Sequence, residues 1–146
     1  NVSSSAHYGV SFEFDNLNGE KRYKGFDAYK KSKLANVMFT YELAKRIENV
    51  GITANCLHPG FVATKFGNNN NILWRSAISF AKLLMAINVK DGAKTTIHLA
   101  SSDDVKNTTG RFFANSQIKK GSSKAKNEEH NEKLWQISEG LVAPFL

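Results

Sequence analysis

A single cysteine, Cys56, means that no disulfide can form within this chain, and it makes a cysteine-based metal site hard to build. Such scarcity agrees with a reducing compartment. No stretch is long and apolar enough to span a bilayer; the nearest, 72–89, is interrupted by Arg75, Ser76, Ser79, Lys82 and Asn88. The chain opens Asn-Val-Ser-Ser-Ser, with neither the basic start nor the apolar run of a secretion signal. Without that signal, the sequons at Asn1 and Asn107 are read as chance matches. No five or six like charges stand together, so the net charge of +7 reads as a solvated basic surface. Internal repeats and long low-complexity tracts are absent, and 68–71 is a short polar loop. The glycine-rich phosphate turn of dinucleotide folds, in either spacing, occurs nowhere.

What is present is ordinary globular chemistry. At 146 residues, 41% apolar and 23% charged, the chain is one domain's worth with room for a core. The opening residues 1–4 read as the tail of a β-strand. A loop over 6–26 follows, broken by Gly9, Gly19 and Gly25, with Phe12 and Phe14 alternating as in a short extended piece. Leu34, Val37, Met38 and Tyr41 recur at helical spacing, continued by Ala44 and Ile47. This predicts a helix over 27–49, capped by Asp27 and stopped by Gly51. A strand over 52–57 comes directly after it, the order expected of an α/β protein with a parallel sheet. His58-Pro59-Gly60 then forces a turn at the strand's carboxyl end, where open α/β sheets bind ligands. Further along, the spacing predicts one or two helices over 72–87. A helix over 89–100 carries Ala93, Thr96, Ile97 and Ala100. A strand over 110–114, a basic loop over 118–127 and a closing helix over 128–141 with Leu134, Ile137 and Leu141 complete the chain.

One pair carries chemistry. Tyr29 and Lys33 are four apart, which on a helix puts both on one face a turn from each other. An ammonium beside a phenol favours the phenolate and brings it closer to the range of general acid–base catalysis. Such a pair is also common on helix surfaces, so its meaning depends on its neighbours. These are Asn-Val-Ser-Ser before it and Pro59-Gly60-Phe61-Val62-Ala63-Thr64 after it.

In this order and spacing the set resembles the C-terminal half of a short-chain dehydrogenase/reductase. The similarity is greatest to the retinol-dehydrogenase-like group, through 1–7, 29–46, 57–64, 109–113 and Leu134-Trp135. The resemblance implies part of a Rossmann-type, doubly wound parallel sheet with flanking helices. It also implies an oxidoreductase that interconverts an alcohol and a carbonyl with NADP or NAD, leaning to NADP. Tyr29 is then the acid/base and one of the cofactor-binding residues. Lys33 acts on Tyr29 and on the nicotinamide ribose, and Ser4, the second serine of its pair, holds the substrate oxygen. Pro59, Gly60, Val62 and Thr64 border the nicotinamide.

From Ser4 to Tyr29 the chain runs 25 positions, about twice the common family spacing; the extra loop fits the retinol-like group and is expected to border the substrate. The apolar 72–89 stretch falls where the family places its substrate lid. It suggests a retinoid- or lipid-like substrate, or else simple core. His58 reads as structural, Cys56 as packing, and His7, His98 and His130 receive no role; no metal is expected.

The missing glycine-rich turn and the mid-strand opening read residues 1–146 as the C-terminal, catalytic part of one such domain, with the dinucleotide-binding half absent. A purified 1–146 polypeptide is therefore expected to show no dehydrogenase activity, and sustained NAD(P)H oxidation with a ketone would contradict this. Partner expectations are a small apolar alcohol or carbonyl, a homo-oligomer through the central helix and contact with a membrane surface, without nucleic acid. The expected location is cytoplasmic, or membrane-associated on the cytoplasmic side. Two rival readings remain: a non-catalytic binding protein that keeps half of the fold, and a basic nucleic-acid-binding domain.

Overall fold

The computed structural model describes residues 1–62 and 87–146. The helices expected within 72–87, and Thr64, lie outside the described residues. Three helices and three short strands frame the rest: α1 (Gly25–Arg46), β1 (Cys56–His58), α2 (Val89–Ser101), β2 (Phe112–Ala114), β3 (Gln117–Lys119) and α3 (Glu128–Val142).

The sheet runs β1-β2-β3, with β1 parallel to β2 and β2 antiparallel to β3. On the other edge of β1, Val2 bridges Leu57 in parallel, through Ser3 N–H to the Leu57 carbonyl at 2.7 Å and Leu57 N–H to the Asn1 carbonyl at 3.0 Å. Residues 1–3 thus do run as a strand tail into the serines. Alternation along the paired strands then divides the core. Cys56 and Phe112, opposite each other, pack with Leu34, Val37 and Met38 of α1 and Leu134 of α3. Leu57 and Phe113, the next pair, pack with Val105 and Leu99. Both faces of the parallel pair are therefore covered, as parallel sheets require. Together these features form a partial Rossmann-type α/β fold.

Several boundaries differ from those expected. Helix α1 begins at Gly25 and ends at Arg46, so Asp27 lies in its first turn instead of capping it. There it pairs with Lys30 at 3.3 Å, at the helix end that favours a carboxylate. The turn after α1 closes at Gly51, whose φ of +71° glycine adopts at little cost. The strand expected over 52–57 pairs only over 56–58, because side chains take over the earlier positions. Thr109 Oγ1 accepts from Ala54 N–H at 3.0 Å, and Asn55 Oδ1 accepts from Arg111 N–H at 3.0 Å. The residues expected to form an extended piece, Phe12 and Phe14, meet edge-on with ring centroids 5.1 Å apart and pack against the core, with Phe14 opening a short 3-10 turn.

Helix α2 starts where expected, with the Asn88 side chain accepting from Asp91 N–H at 2.8 Å. Its buried face is Gly92 and Thr95, while Ile97 stays 59% exposed. Helix α3, capped by Asn127, buries Asn131 and Leu134, while Leu141 lies outside the core. Its Trp135 stacks on Phe39 of α1 at 5.3 Å, with Arg46 4.6 Å above the indole.

The basic loop proves to contain β3. Asn115 and Ser116 adopt φ of 52° and 56°, the left-handed pair of a two-residue hairpin turn.

Candidate active site

The site is assembled at one end of the parallel strands. Ser4 follows the strand tail 1–3, and Pro59 and Gly60 follow β1, so both segments leave the carboxyl end of their strands. Ser4 is extended (φ −156°, ψ 155°), and its Oγ accepts from Ala6 N–H at 3.2 Å, capping the turn Ser5–His7. A hydroxyl that accepts in this way still has its O–H to donate.

Hydrogen bonds tie the serine loop to its surroundings on three sides. Ser3 Oγ donates to the Lys33 carbonyl of α1 at 2.7 Å, locking the serines to the turn that bears Tyr29 and Lys33. Ser5 Oγ lies 3.4 Å from His58 Nε2 at the end of β1. The buried His7 Nε2 accepts from Ser122 N–H, just before α3, at 3.0 Å.

On α1, Lys33 Nζ stands 5.6 Å from the centre of the Tyr29 ring, so the expected helical register holds. Tyr29 also stacks on Phe26 at 6.3 Å. The structure therefore brings Ser4, Tyr29 and Lys33 onto two elements that are hydrogen-bonded to each other.

The 59–62 loop has its own support. Gly60 has φ +90°, and a Cβ there would lie 2.5 Å from Ile87 Cδ1. Val62 bridges Ile87 in parallel and closes against Gly92 of α2, where a Cβ would come within 2.5 Å of Val62 Cγ2. Ile87 and Gly92 are thus supporting residues that sequence reasoning did not single out. A glycine inside a helix, costly unless something packs closely on it, was the available signal.

His58 Nδ1 is buried without a hydrogen-bond partner among the described residues, and burial lowers the pKa of both His58 and His7. Burial pushes the Cys56 thiol up to about 11, so it stays protonated and serves as packing. Among the described residues no group of three metal-ligating side chains occurs, and no helix is long and apolar enough to cross a membrane. A cavity of about 270 Å³ lies between the 12–24 loop and α1, with Phe12, Leu17, Tyr23 and Lys31 in its walls. Ser4, Tyr29 and Lys33 do not line it.

The histidine shifts have a pH consequence. Unfolded, both residues protonate near pH ~6.5; folded, they resist until lower pH. The unfolded state therefore binds more protons as pH falls below that value, and stability drops. Urea midpoints are expected to fall between about pH 7.5 and about pH 5, and His7→Phe should flatten the dependence. A flat profile in the parent protein would contradict the histidine assignments.

Comparison with known proteins agrees with this architecture. Residues 15–72 match the short chain dehydrogenase family. Retinol dehydrogenase 12 of Mus musculus is 38% identical over 141 residues, covering 94% of this chain and 43% of that protein. Retinol dehydrogenase 14 of Homo sapiens is 38% identical over 143 residues, covering 97% and 43%. The crystal structure of an uncharacterized protein from Mycobacterium paratuberculosis superposes with a TM-score of 0.71 at 29% identity, covering 97% of this chain and 48% of that one. The chain is thus similar to short-chain dehydrogenases, and among them to retinol dehydrogenases, and it spans under half the length of the curated relatives it matches.

Proposed function

We propose that these residues supply the acid/base side of an NAD(P)-dependent oxidoreductase acting on an alcohol/carbonyl pair. The observation that carries this reading is the bond from Ser3 Oγ to the Lys33 carbonyl. It fastens the serine loop to the helix turn bearing Tyr29 and Lys33, at the carboxyl end of the strands.

The donor set suits a nicotinamide ribose and a reacting oxygen: an ammonium, a phenol, a hydroxyl and a loop whose backbone is held in place by Ile87 and Gly92. Lys33 would hold the ribose, and 59–62 would border the nicotinamide. When bound, that cofactor supplies or accepts the hydride. During reduction the carbonyl oxygen gains negative charge, which the Ser4 O–H stabilises by donation, and Tyr29 then delivers its phenolic proton to that oxygen. Oxidation runs the same transfers backwards, with phenolate taking the hydroxyl proton. The Lys33 ammonium stands beside the phenol, 5.6 Å from the ring centre.

An apolar, retinoid- or lipid-like substrate is supported by the similarity to retinol dehydrogenases and by the apolar 72–89 sequence. Screening the full-length gene product against NAD and NADP, with apolar and polar carbonyls, tests this reading. Preference for apolar carbonyls supports it; folded protein that binds cofactor yet reduces nothing opposes it.

A further inference from the structure

We propose that His7 is the positioning residue of the catalytic loop: a buried neutral imidazole that holds the Ser4 peptide and pins it to the segment before α3. The proposal rests on the reading of Ser4 as the residue that meets the reacting oxygen.

The hydrogen-bond chemistry at His7 admits one protonation state. Its Nδ1 lies 2.5 Å from the Ser4 carbonyl, which can only accept, so Nδ1 carries the proton. Its Nε2 receives the Ser122 N–H at 3.0 Å, which can only donate, so Nε2 presents its lone pair. The Ser4 carbonyl thus accepts twice from one residue, since the His7 backbone N–H also reaches it at 3.1 Å.

The ring cannot turn freely to another arrangement. It is fully buried, 4.0 Å from the Tyr8 ring and edge-on to Phe112 of β2 at 4.7 Å. A second bond closes the same clamp: Tyr8 Oη donates to the Lys120 carbonyl at 2.5 Å. Segments 115 positions apart in the chain are thereby joined directly behind Ser4.

The consequence for chemistry is positional. The carbonyl that His7 holds belongs to the residue whose hydroxyl is to meet the substrate. A misplacement of about 1 Å can cost ~10²-fold in rate. Protonation would set an Nε2–H against the Ser122 N–H and undo the clamp. The titratable groups acting nearby are Tyr8 from its own segment and His58 from β1, whose charge would oppose that of His7. No acidic group adds to the influences on His7 among the described residues.

Imidazole nitrogen NMR on the full-length protein, labelled at histidine, reads the state directly. The expected result is one neutral tautomer with the proton on Nδ1, persisting below the ordinary histidine range. A proton on Nε2, or ordinary titration, overturns the proposal. Two variants separate positioning from packing. His7→Phe keeps ring volume and loses both bonds, and it should lower kcat at least about tenfold with cofactor KM unchanged. His7→Asn keeps an N–H for the Ser4 carbonyl and should recover most of that loss. Equal kcat in His7→Phe and His7→Asn overturns the proposal. If His7→Phe does not fold, His7→Asn against the parent and the tautomer measurement still decide it. Ser4→Ala tests the underlying reading separately. Turnover surviving in Ser4→Ala removes the catalytic role of the serine while the tautomer still tests the clamp.

Discussion

Replacing Tyr29 with Phe in the full-length protein is expected to lower turnover by about 10²–10⁴-fold, the usual contribution of a positioned acid/base. The substitution removes one oxygen and leaves the ring. Its stack on Phe26 and its contact with Lys33 do not depend on that oxygen, so the helix face should survive. Cofactor affinity should therefore change little, because Lys33 and the 59–62 loop are untouched. Steady-state kinetics with a fluorescence titration of the reduced cofactor separates the two effects. Turnover that survives would remove Tyr29 as the proton donor. Turnover and cofactor binding lost together would mean that the phenol is structural.

The second large effect is on stability. Phe113 is 1% exposed and fills the face of the sheet opposite α1, against Leu57, Val105 and Leu99. Phe113→Ala should cost about 3–5 kcal/mol through lost burial and the cavity left behind. That is a large share of the ~5–15 kcal/mol typical of a whole domain. The expected readout is a lower urea midpoint at unchanged slope. A loss below about 1 kcal/mol would show that this face is not packed and that the two-sided covering of the sheet is wrong.

These two residues differ in how far the sequence revealed them. Tyr29 was legible because a helix imposes a 3.6-residue period, and four positions from Tyr29 brings Lys33 to the same face. The retinol-dehydrogenase-like resemblance then supplied Ser4 and the 59–62 loop, and the structure places both at the carboxyl end of the strands. Phe113 was assigned to a strand, but which face it covers depends on register against β1, a long-range property.

Some of the misses have local causes, others long-range ones. Thr109 and Asn55 imitate ladder bonds with side chains, which shortens β1 in a way no propensity shows. The hairpin before β3 uses Asn115 and Ser116, a weaker turn signal than Asn-Gly, and the lysines around it read as loop. His7 gave no signal beyond lying three positions after Ser4. Its importance appears only when the chain brings Ser122 back beside it. Ile87 and Gly92 are similar: their role comes from packing on Gly60 and Val62, which are distant from them in the sequence.

The central claim is that Ser4, Tyr29 and Lys33 work together on one reacting oxygen. The most direct measurement follows reduced-nicotinamide consumption by the full-length protein with an apolar aldehyde, in the parent, Ser4→Ala, Tyr29→Phe and the double variant. The account predicts consumption in the parent and large losses in each single variant. The double variant should lose far less than the product of the two, because groups acting on one transition state are not additive. Two losses that multiply independently, or undiminished consumption in either single variant, would contradict it.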